Sequence, residues 1–259
     1  MSKYVLTIIL LSLMSFSQEK DLDSARLIKI EEHYYSMNFK SNSEYLFYYN
    51  MNKLDSITHD RYNDKRNMDI IIFKYNPNII EGYEKFTHNG SLKMKYLYKL
   101  DSKGRLSEFI SYDYFEIQRQ DKYTYNKSRN IIKIKTFEKR EVDGLVTFKE
   151  KICFVNNMNN IDSTYEYYID NKKHNLNTIY IYKYDTKPNP LKNIFFYEIS
   201  EEYFNSNNIV SCRYLNDNRT VRLTRKNNYA YNTDGRLIKY LDDDIFETDS
   251  IVHIYHYNK

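Results

Sequence analysis

The feature that most constrains this chain is a short pattern that returns along it. An aromatic residue, any residue and a second aromatic residue are followed by a polar turn and then by Leu or Ile, most clearly at Tyr96–Leu106 and Tyr229–Leu237. Residues two apart lie on the same face of a β-strand. Each copy therefore predicts a strand, a tight turn and a returning strand.

Weaker copies of the pattern fill much of the remaining chain, before Leu54, Ile131, Ile161 and Ile209. In the clear copies, the polar residues favour a type I turn and the Gly favours a positive φ, which produces a bulge that fixes the strand register. Self-similarity of this kind is the signature of a repeat architecture. We expect a degenerate array of β-hairpins.

Composition favours the same fold class. The chain has 29 Tyr and 14 Phe but 5 Gly and 3 Pro, and aromatic side chains fit a pleated, half-buried surface. We expect an all-β fold, an antiparallel meander of repeated hairpins forming a curved open sheet, with a closed or partly closed barrel as the alternative. In an open sheet the last strand, near 250–257, would leave an edge for another chain.

The N-terminus resembles a secretory signal peptide. Lys3 precedes an apolar stretch over residues 4–16, and the small residues Ser15 and Ser17 stand before Gln18. The stretch is shorter than the about 20 residues that a spanning helix needs. We predict a signal peptide over 1–17, cleavage between Ser17 and Gln18, and one hairpin-repeat domain over 18–259. The mature chain is expected without a membrane span, in the periplasm, at the cell surface or outside the cell.

Charge gives no indication of a nucleic-acid partner. The 39 basic and 35 acidic residues are interspersed, with a formal net charge of +4. Binding to phosphates needs a clustered basic stripe. Nucleic acid is therefore not expected as a partner.

No arrangement of residues in the sequence points to a reaction. There is no Gly-x-Ser-x-Gly elbow, and the glycines fall in predicted turns except Gly82. His253 and His256 are three apart, so a strand would point them to opposite faces and away from a shared metal. We expect no catalytic residues, no cofactor and no metal. The alternative is a secreted hydrolase whose carboxylates meet only in the fold.

The two cysteines test the strand order. In a meander, Cys153 and Cys212 would lie about four strand steps apart, roughly 19 Å at about 4.8 Å per step. A disulfide needs Cα atoms within about 7 Å. We therefore expect free thiols.

The units at Tyr98 and Tyr231 resemble the YD-repeat or RHS-like group, whose units carry Tyr-Asp or Tyr-Asn and a Gly-Arg-Leu turn. The segment Tyr182–Leu191 is similar to a Tyr-Asp-x-Lys-x-Asn-Pro segment of uncharacterised exported proteins from bacteroidete-type bacteria. The resemblance implies antiparallel hairpins and export. It implies no activity, because one fold supports many functions.

The paired tyrosines are the candidate binding surface. Tyr rings offer flat amphipathic surfaces to sugars and proteins, although stacking across strands also stabilises a sheet by about 0.2–1 kcal/mol per pair. We expect a non-catalytic binding or scaffold module for a polysaccharide or an envelope protein. The candidate residues are Tyr96, Tyr98, Tyr123, Tyr125, Tyr180, Tyr182, Tyr184, Tyr229 and Tyr231.

Overall fold

A computed structural model of the chain consists of β-strands joined by short connections. It describes residues 26–35, 40–50, 53–61, 68–113, 116–126, 130–140, 144–170, 173–192, 204–243 and 250–257. The predicted signal peptide and its cleavage between Ser17 and Gln18 lie outside these residues, and they stay predictions together with the 18–259 domain. No helix with the length and hydropathy of a membrane span occurs in the described part.

The described residues form sixteen strands in hairpin order, which confirms the predicted all-β fold of repeated hairpins. They are β1 (Leu27–Tyr35), β2 (Lys40–Asn50), β3 (Lys53–Arg61), β4 (Met68–Asn76), β5 (Ile79–Phe86), β6 (Leu92–Leu100), β7 (Leu106–Asp113), β8 (Glu116–Asn126), β9 (Ile131–Arg140), β10 (Gly144–Val155), β11 (Ile161–Asp170), β12 (Lys173–Pro188), β13 (Asn207–Leu215), β14 (Val221–Tyr231), β15 (Leu237–Asp243) and β16 (Ser250–Tyr257).

The sheet closes into a barrel. Every strand pairs antiparallel with its neighbours in sequence, and β1 pairs with β16 from Leu27↔Tyr257 to Tyr35↔Ser250. The expected curved open sheet is therefore wrong, and the closed-barrel alternative is correct. The right-handed twist between neighbouring strands and the bulges beside the turns add up along the meander. After sixteen strands the two edges meet and satisfy each other's backbone groups.

Turns of the repeat gather at one end of the barrel, which we call the turn end. It holds the connections from each even-numbered strand to the next odd-numbered one; the opposite end is the far end. At Asp101 and at Asn232 the turn residue accepts a bond from Gly104 N and Gly235 N, both at 3.0 Å, and these glycines have φ of 74° and 78°. Asn159 occupies the same turn position with φ of 60°, which asparagine tolerates.

The inner face of the barrel is aromatic toward the turn end. Side chains two apart on each strand point inward and pack across strands into two adjoining clusters. Their buried aromatic members are Tyr45, Phe47, Phe73, Tyr96, Tyr98, Phe109, Tyr182 and Tyr255.

Toward the far end the inner face is polar. On β8, Arg119 lies on the same face as Tyr123 and Tyr125 and ion-pairs with Asp121 at 2.9 Å. Glu166 is approached by Lys149 at 3.9 Å and by Lys151 at 3.8 Å. The side chain of Arg119 is 44% exposed. Water therefore reaches the inner face in this half.

Ion pairs also run across the outer face. Lys29 contacts Glu31 at 2.8 Å and Glu44 at 2.5 Å, and Lys95 contacts Glu81 at 2.9 Å. Further outward pairs join Lys99 to Glu108, and Lys133 and Lys135 to Glu150. These residues stand near the middle of their strands as well as near the ends. Ion pairs therefore occur at several heights of the outer wall.

Neither cysteine forms a disulfide, as predicted, and the structure places both in the buried inner face. Cys153 is on β10 and Cys212 is on β13, so three strand steps separate them rather than four. At about 4.8 Å per step the gap is roughly 14 Å, which is still too far for a disulfide.

Candidate binding cavity at the turn end

A cavity of about 300 Å³ opens at the turn end. It lies between the connections β6–β7, β8–β9 and β10–β11 on one side and the connection β12–β13 on the other. Its wall is apolar and its rim is polar. The apolar and aromatic lining is Leu106, Tyr125, Ile131, Ile132, Val155, Ile161 and Phe204; the polar lining is Arg105, Asn126, Asn130, Asn159 and Lys192.

Tyr125 forms a rigid side of the cavity. It lies near the end of β8, and its hydroxyl donates a hydrogen bond of 2.7 Å to the backbone carbonyl of Leu106. The guanidinium carbon of Arg105 lies 4.0 Å from the centre of the Tyr125 ring. The ring is therefore fixed at its tip by the backbone and on one face by a cation.

Arg105 is itself held by the turn that precedes it. Its Nε and Nη2 donate to Asp101 Oδ2 at 2.8 and 2.6 Å, while Asp101 Oδ1 accepts from the backbone N–H groups of Lys103 and Arg105. Burial acts to raise the pKa of Asp101, but the bonds from Arg105 and Lys103 lower it. The turn carboxylate therefore orients the guanidinium that caps the Tyr125 ring.

The described parts of the connection β12–β13, residues 189–192 and 204–206, form the opposite side. Phe204 packs against the ring of Tyr123 with centroids 5.7 Å apart, and Leu191 is buried in the inner core. Lys192 is exposed at the cavity, and its Nζ donates to Ser206 Oγ at 2.9 Å. The connection thus turns apolar side chains inward and places an ammonium group at the rim.

Two buried asparagines tie this connection to the β10–β11 turn. Asn160 Oδ1 accepts from the backbone N–H of Ser206 at 2.7 Å and of Asn207 at 3.0 Å. Asn205 Oδ1 accepts from the backbone N–H of Ile161 at 2.7 Å. Asn160 and Asn205 are 0% and 1% exposed. Buried amides with their partners satisfied fix the position of a loop.

The Tyr182–Leu191 segment anchors the same connection. Asp185 Oδ1 accepts from the backbone N–H of Lys187 at 3.0 Å and of Asn208 at 3.1 Å, and Tyr231 donates its hydroxyl to Asp185 Oδ2. Burial, together with the neighbouring Asp185 carboxylate, raises the pKa of Tyr231 well above its usual value. This motif has an architectural role, because it fastens the connection to β14.

The sequence-predicted tyrosines face inward and separate into different surroundings. Tyr125 lines the cavity, and Tyr229 lines a smaller recess beside Leu191. Tyr96, Tyr98 and Tyr182 are at most 6% exposed. The others lie on the same inner face, namely Tyr123, Tyr180, Tyr184 and Tyr231. Of the predicted binding-surface tyrosines, Tyr125 is the one in the described lining of the cavity, and its binding role stays a prediction.

Several lining residues are not among the sequence-predicted site residues. Arg105 lies in a predicted turn, and its Gly-Arg-Leu motif is the local signal for it. Phe204 stands in the weak copy of the repeat before Ile209, but nothing near Phe204 or Lys192 in the sequence indicates a cavity, because neighbours distant in sequence bring them there.

The two C-terminal histidines separate as predicted. On β16, His253 faces inward, where its ring stacks on Tyr240 with centroids 4.9 Å apart, and His256 faces outward beside Glu31. Among the described residues, no three His, Cys, Asp or Glu side chains are placed to hold a metal ion together.

Comparisons with known proteins bear on the fold. A porin-like protein from Bacteroides uniformis matches with a TM-score of 0.58 and 11% identity, covering 90% of this chain and 96% of that chain. A porin-like protein from Bacteroides vulgatus matches with a TM-score of 0.54 and 11% identity, covering 91% and 99%. No family model and no curated protein matches the chain. This chain therefore has the fold of barrels found in Bacteroides.

Proposed function

We propose that this chain is an exported, non-catalytic β-barrel that works in an aqueous compartment of the cell envelope or outside the cell, and that it binds a carbohydrate in the turn-end cavity. The cavity carries this proposal. Sugars present apolar ring faces together with hydroxyl groups, and binding sites for small ligands combine apolar walls with a few placed polar groups. Tyr125 and Phe204 supply flat walls, while Asn126, Asn130 and Asn159 supply amides at the rim.

Polarity of the two barrel faces supports an aqueous location. Transmembrane barrels carry an apolar outer band about 25 Å tall and a polar interior. Here the outer wall holds ion pairs such as Lys95–Glu81, whereas the half of the interior toward the turn end is aromatic. Placing these pairs in lipid would cost several kcal/mol for each unscreened charge. The two porin-like neighbours therefore support the fold of this chain, but the polarity of its two faces argues against a position across a membrane.

A binding role accords better with the cavity than a hydrolytic one. Among its described lining residues there is no carboxylate, histidine or cysteine to act as general acid, general base or nucleophile. Asp69 and Glu84 do come together inside the far half of the barrel, but Lys93 Nζ lies 2.9 and 2.8 Å from them. Both carboxylates are thus engaged by one ammonium group as a buried ion-pair cluster.

Affinity electrophoresis of residues 18–259 through gels containing envelope and dietary polysaccharides tests the proposal. We expect retardation by one glycan, lost in Tyr125→Ala and kept in the matched control Tyr48→Ala, whose ring is 47% exposed on the outer face of β2. Tyr125→Phe, which keeps the ring, should keep most of the retardation. Thermal melts of each variant separate loss of binding from loss of fold. Absence of retardation by every glycan, or equal loss in both alanine variants, would contradict the proposal.

A further inference from the structure

The described lining of the cavity is cationic. Two of its side chains carry a positive charge, Arg105 and Lys192, and none carries a negative charge. Asp101, just outside the lining, balances Arg105 through two hydrogen bonds. Lys192 Nζ contacts the neutral hydroxyl of Ser206. The described lining therefore has an excess of one positive charge, that of Lys192.

The position of Lys192 is fixed by its own backbone. The connection forms a turn in which Asn189 Oδ1 accepts from the N–H of Leu191 at 2.9 Å and Asn189 O accepts from the N–H of Lys192 at 3.3 Å. Leu191 is buried in the core beneath this turn. The ammonium group thus projects from an anchored backbone and not from a free loop end.

Arg105 adds directional donors on the same side. A guanidinium has five N–H donors, and the bonds to Asp101 use its Nε and Nη2. Its guanidinium carbon also lies 4.0 Å from the centre of the Tyr125 ring, on one face of that ring. A group bound in the cavity next to Arg105 and Tyr125 would therefore meet the remaining guanidinium donors. Hydrogen bonds from a cation to an anionic acceptor are about twice as strong as neutral ones.

From this arrangement we infer that the cavity selects an acidic sugar, one whose carboxylate is bound by Lys192 and whose ring lies against the aromatic and amide lining. The inference rests on the proposed function and specifies its ligand. The one excess positive charge of the described lining matches the single negative charge of a uronic acid. The asparagine amides at the rim then serve the uncharged hydroxyls of the same ring.

The test is isothermal titration of residues 18–259 with trigalacturonate and with the same trisaccharide after reduction of its carboxyl groups to CH₂OH. We expect the acidic form to bind at least about tenfold more tightly. Lys192→Gln should weaken the acidic form by about tenfold and leave the reduced form unchanged. The matched control is Lys187→Gln, another exposed lysine just before the same connection, and it should leave both affinities unchanged.

The other outcomes of the titration distinguish failure of the carboxylate inference from failure of the proposed function. Equal binding of the acidic and reduced forms, or an acidic affinity unaffected by Lys192→Gln, overturns the carboxylate inference but leaves a carbohydrate site in place. Tighter binding of a sulfated trisaccharide than of trigalacturonate also overturns it. Failure of every saccharide to bind removes the proposed function as well.

Discussion

The hydroxyl of Tyr125, near the end of β8, donates a hydrogen bond of 2.7 Å to the backbone carbonyl of Leu106, the first residue of β7. The same relationship recurs around the barrel. Tyr75 donates to Leu54 O at 2.8 Å, Tyr184 to Ile161 O at 2.5 Å and Tyr229 to Ile209 O at 2.6 Å. These Leu and Ile residues lie beside irregularities in strand register. A tyrosine of the aromatic pair thus caps a carbonyl next to a turn bulge, a bond that phenylalanine cannot make.

Removing one such hydroxyl should destabilise the barrel. Burial raises the pKa of Tyr75 to about 12, so the hydroxyl remains a donor throughout the neutral range. We expect Tyr75→Phe to lower the free energy of unfolding by about 1 kcal/mol, because a hydrogen bond to a part-buried carbonyl is lost. Tyr48→Phe, on the exposed outer face, should change it by less than about 0.5 kcal/mol. Urea unfolding of both variants checks this, and equal losses would refute the capping role.

Much of the fold could be predicted from local sequence. The turns at Asp101 and Asn232 and the placing of aromatics two apart on one face follow from short-range rules, whereas the prediction of free thiols follows from the meander order of the strands. Closure could not be predicted, because each hairpin looks the same in an open sheet and in a barrel. Closure depends on accumulated twist over all strands and on the pairing of β1 with β16, two strands at opposite ends of the described chain.

The cavity could be predicted only in part, because contacts between residues distant in sequence form one of its walls. Tyr125 was among the expected residues, but the opposite wall comes from Phe204 and Lys192 in the connection β12–β13. Their positions depend on Asn160 and Asn205, whose bonds join residues more than forty positions apart. Local patterns carry no information about such contacts.

Gly82, in the middle of β5, has a packing role. It lies directly across from Tyr96, and a Cβ at Gly82 would come within 3.3 Å of Tyr96 Cδ2 and 3.5 Å of Ile71 Cγ2. An aromatic ring covering a strand glycine is a known stabilising arrangement in sheets. We expect Gly82→Val to cost about 1–3 kcal/mol through overpacking.

A double-mutant cycle separates this contact from a general effect of the substitution. In a Tyr96→Ala background, Gly82→Val should cost much less, since the ring that it meets is gone. Additive losses in urea unfolding would show that the Gly82–Tyr96 contact does not explain the glycine.

Deleting residues 250–259 should open the barrel. In the open sheet expected from the sequence, this last strand would be an edge to which another chain could add a strand. In the structure β16 pairs with both β15 and β1, so its removal exposes two edges instead. Unpaired edges associate. We expect the full chain from residue 18 to be monomeric by light scattering and the truncated chain to associate with increasing concentration; a monomeric truncated chain would contradict closure through β16.

The closing strand pair should also weaken in acid. Glu32 on β1 contacts His253 on β16 at 3.2 Å and accepts from Ser43 Oγ at 2.9 Å. Burial acts to raise the pKa of Glu32, but bonds from His253 and Ser43 and the nearby His59 lower it below the ordinary 4.5. A lowered folded-state pKa gives stability that is present above the unfolded value and lost as pH falls below it.

Glu32→Gln tests this contribution. We expect the variant to unfold with about 1 kcal/mol less free energy than the wild type at pH 7. The difference should disappear near pH 3, where the unfolded and then the folded carboxylate are protonated. Asp162→Asn, on an exposed side chain of β11, is the control and should be neutral at both values. A Glu32→Gln deficit that persists unchanged in acid would indicate a packing effect and not the charge of Glu32.

Vesicle flotation tests the proposal that the ion-paired outer wall of this barrel faces water and not lipid. Residues 18–259, folded without detergent, are mixed with dye-loaded phospholipid vesicles and centrifuged through a density gradient. We predict a folded, β-rich protein that stays with the aqueous fraction and releases no dye. Protein that floats with the vesicles and releases dye would contradict the account, because ion pairs such as Lys29–Glu44 and Lys95–Glu81 would then have to lie against lipid.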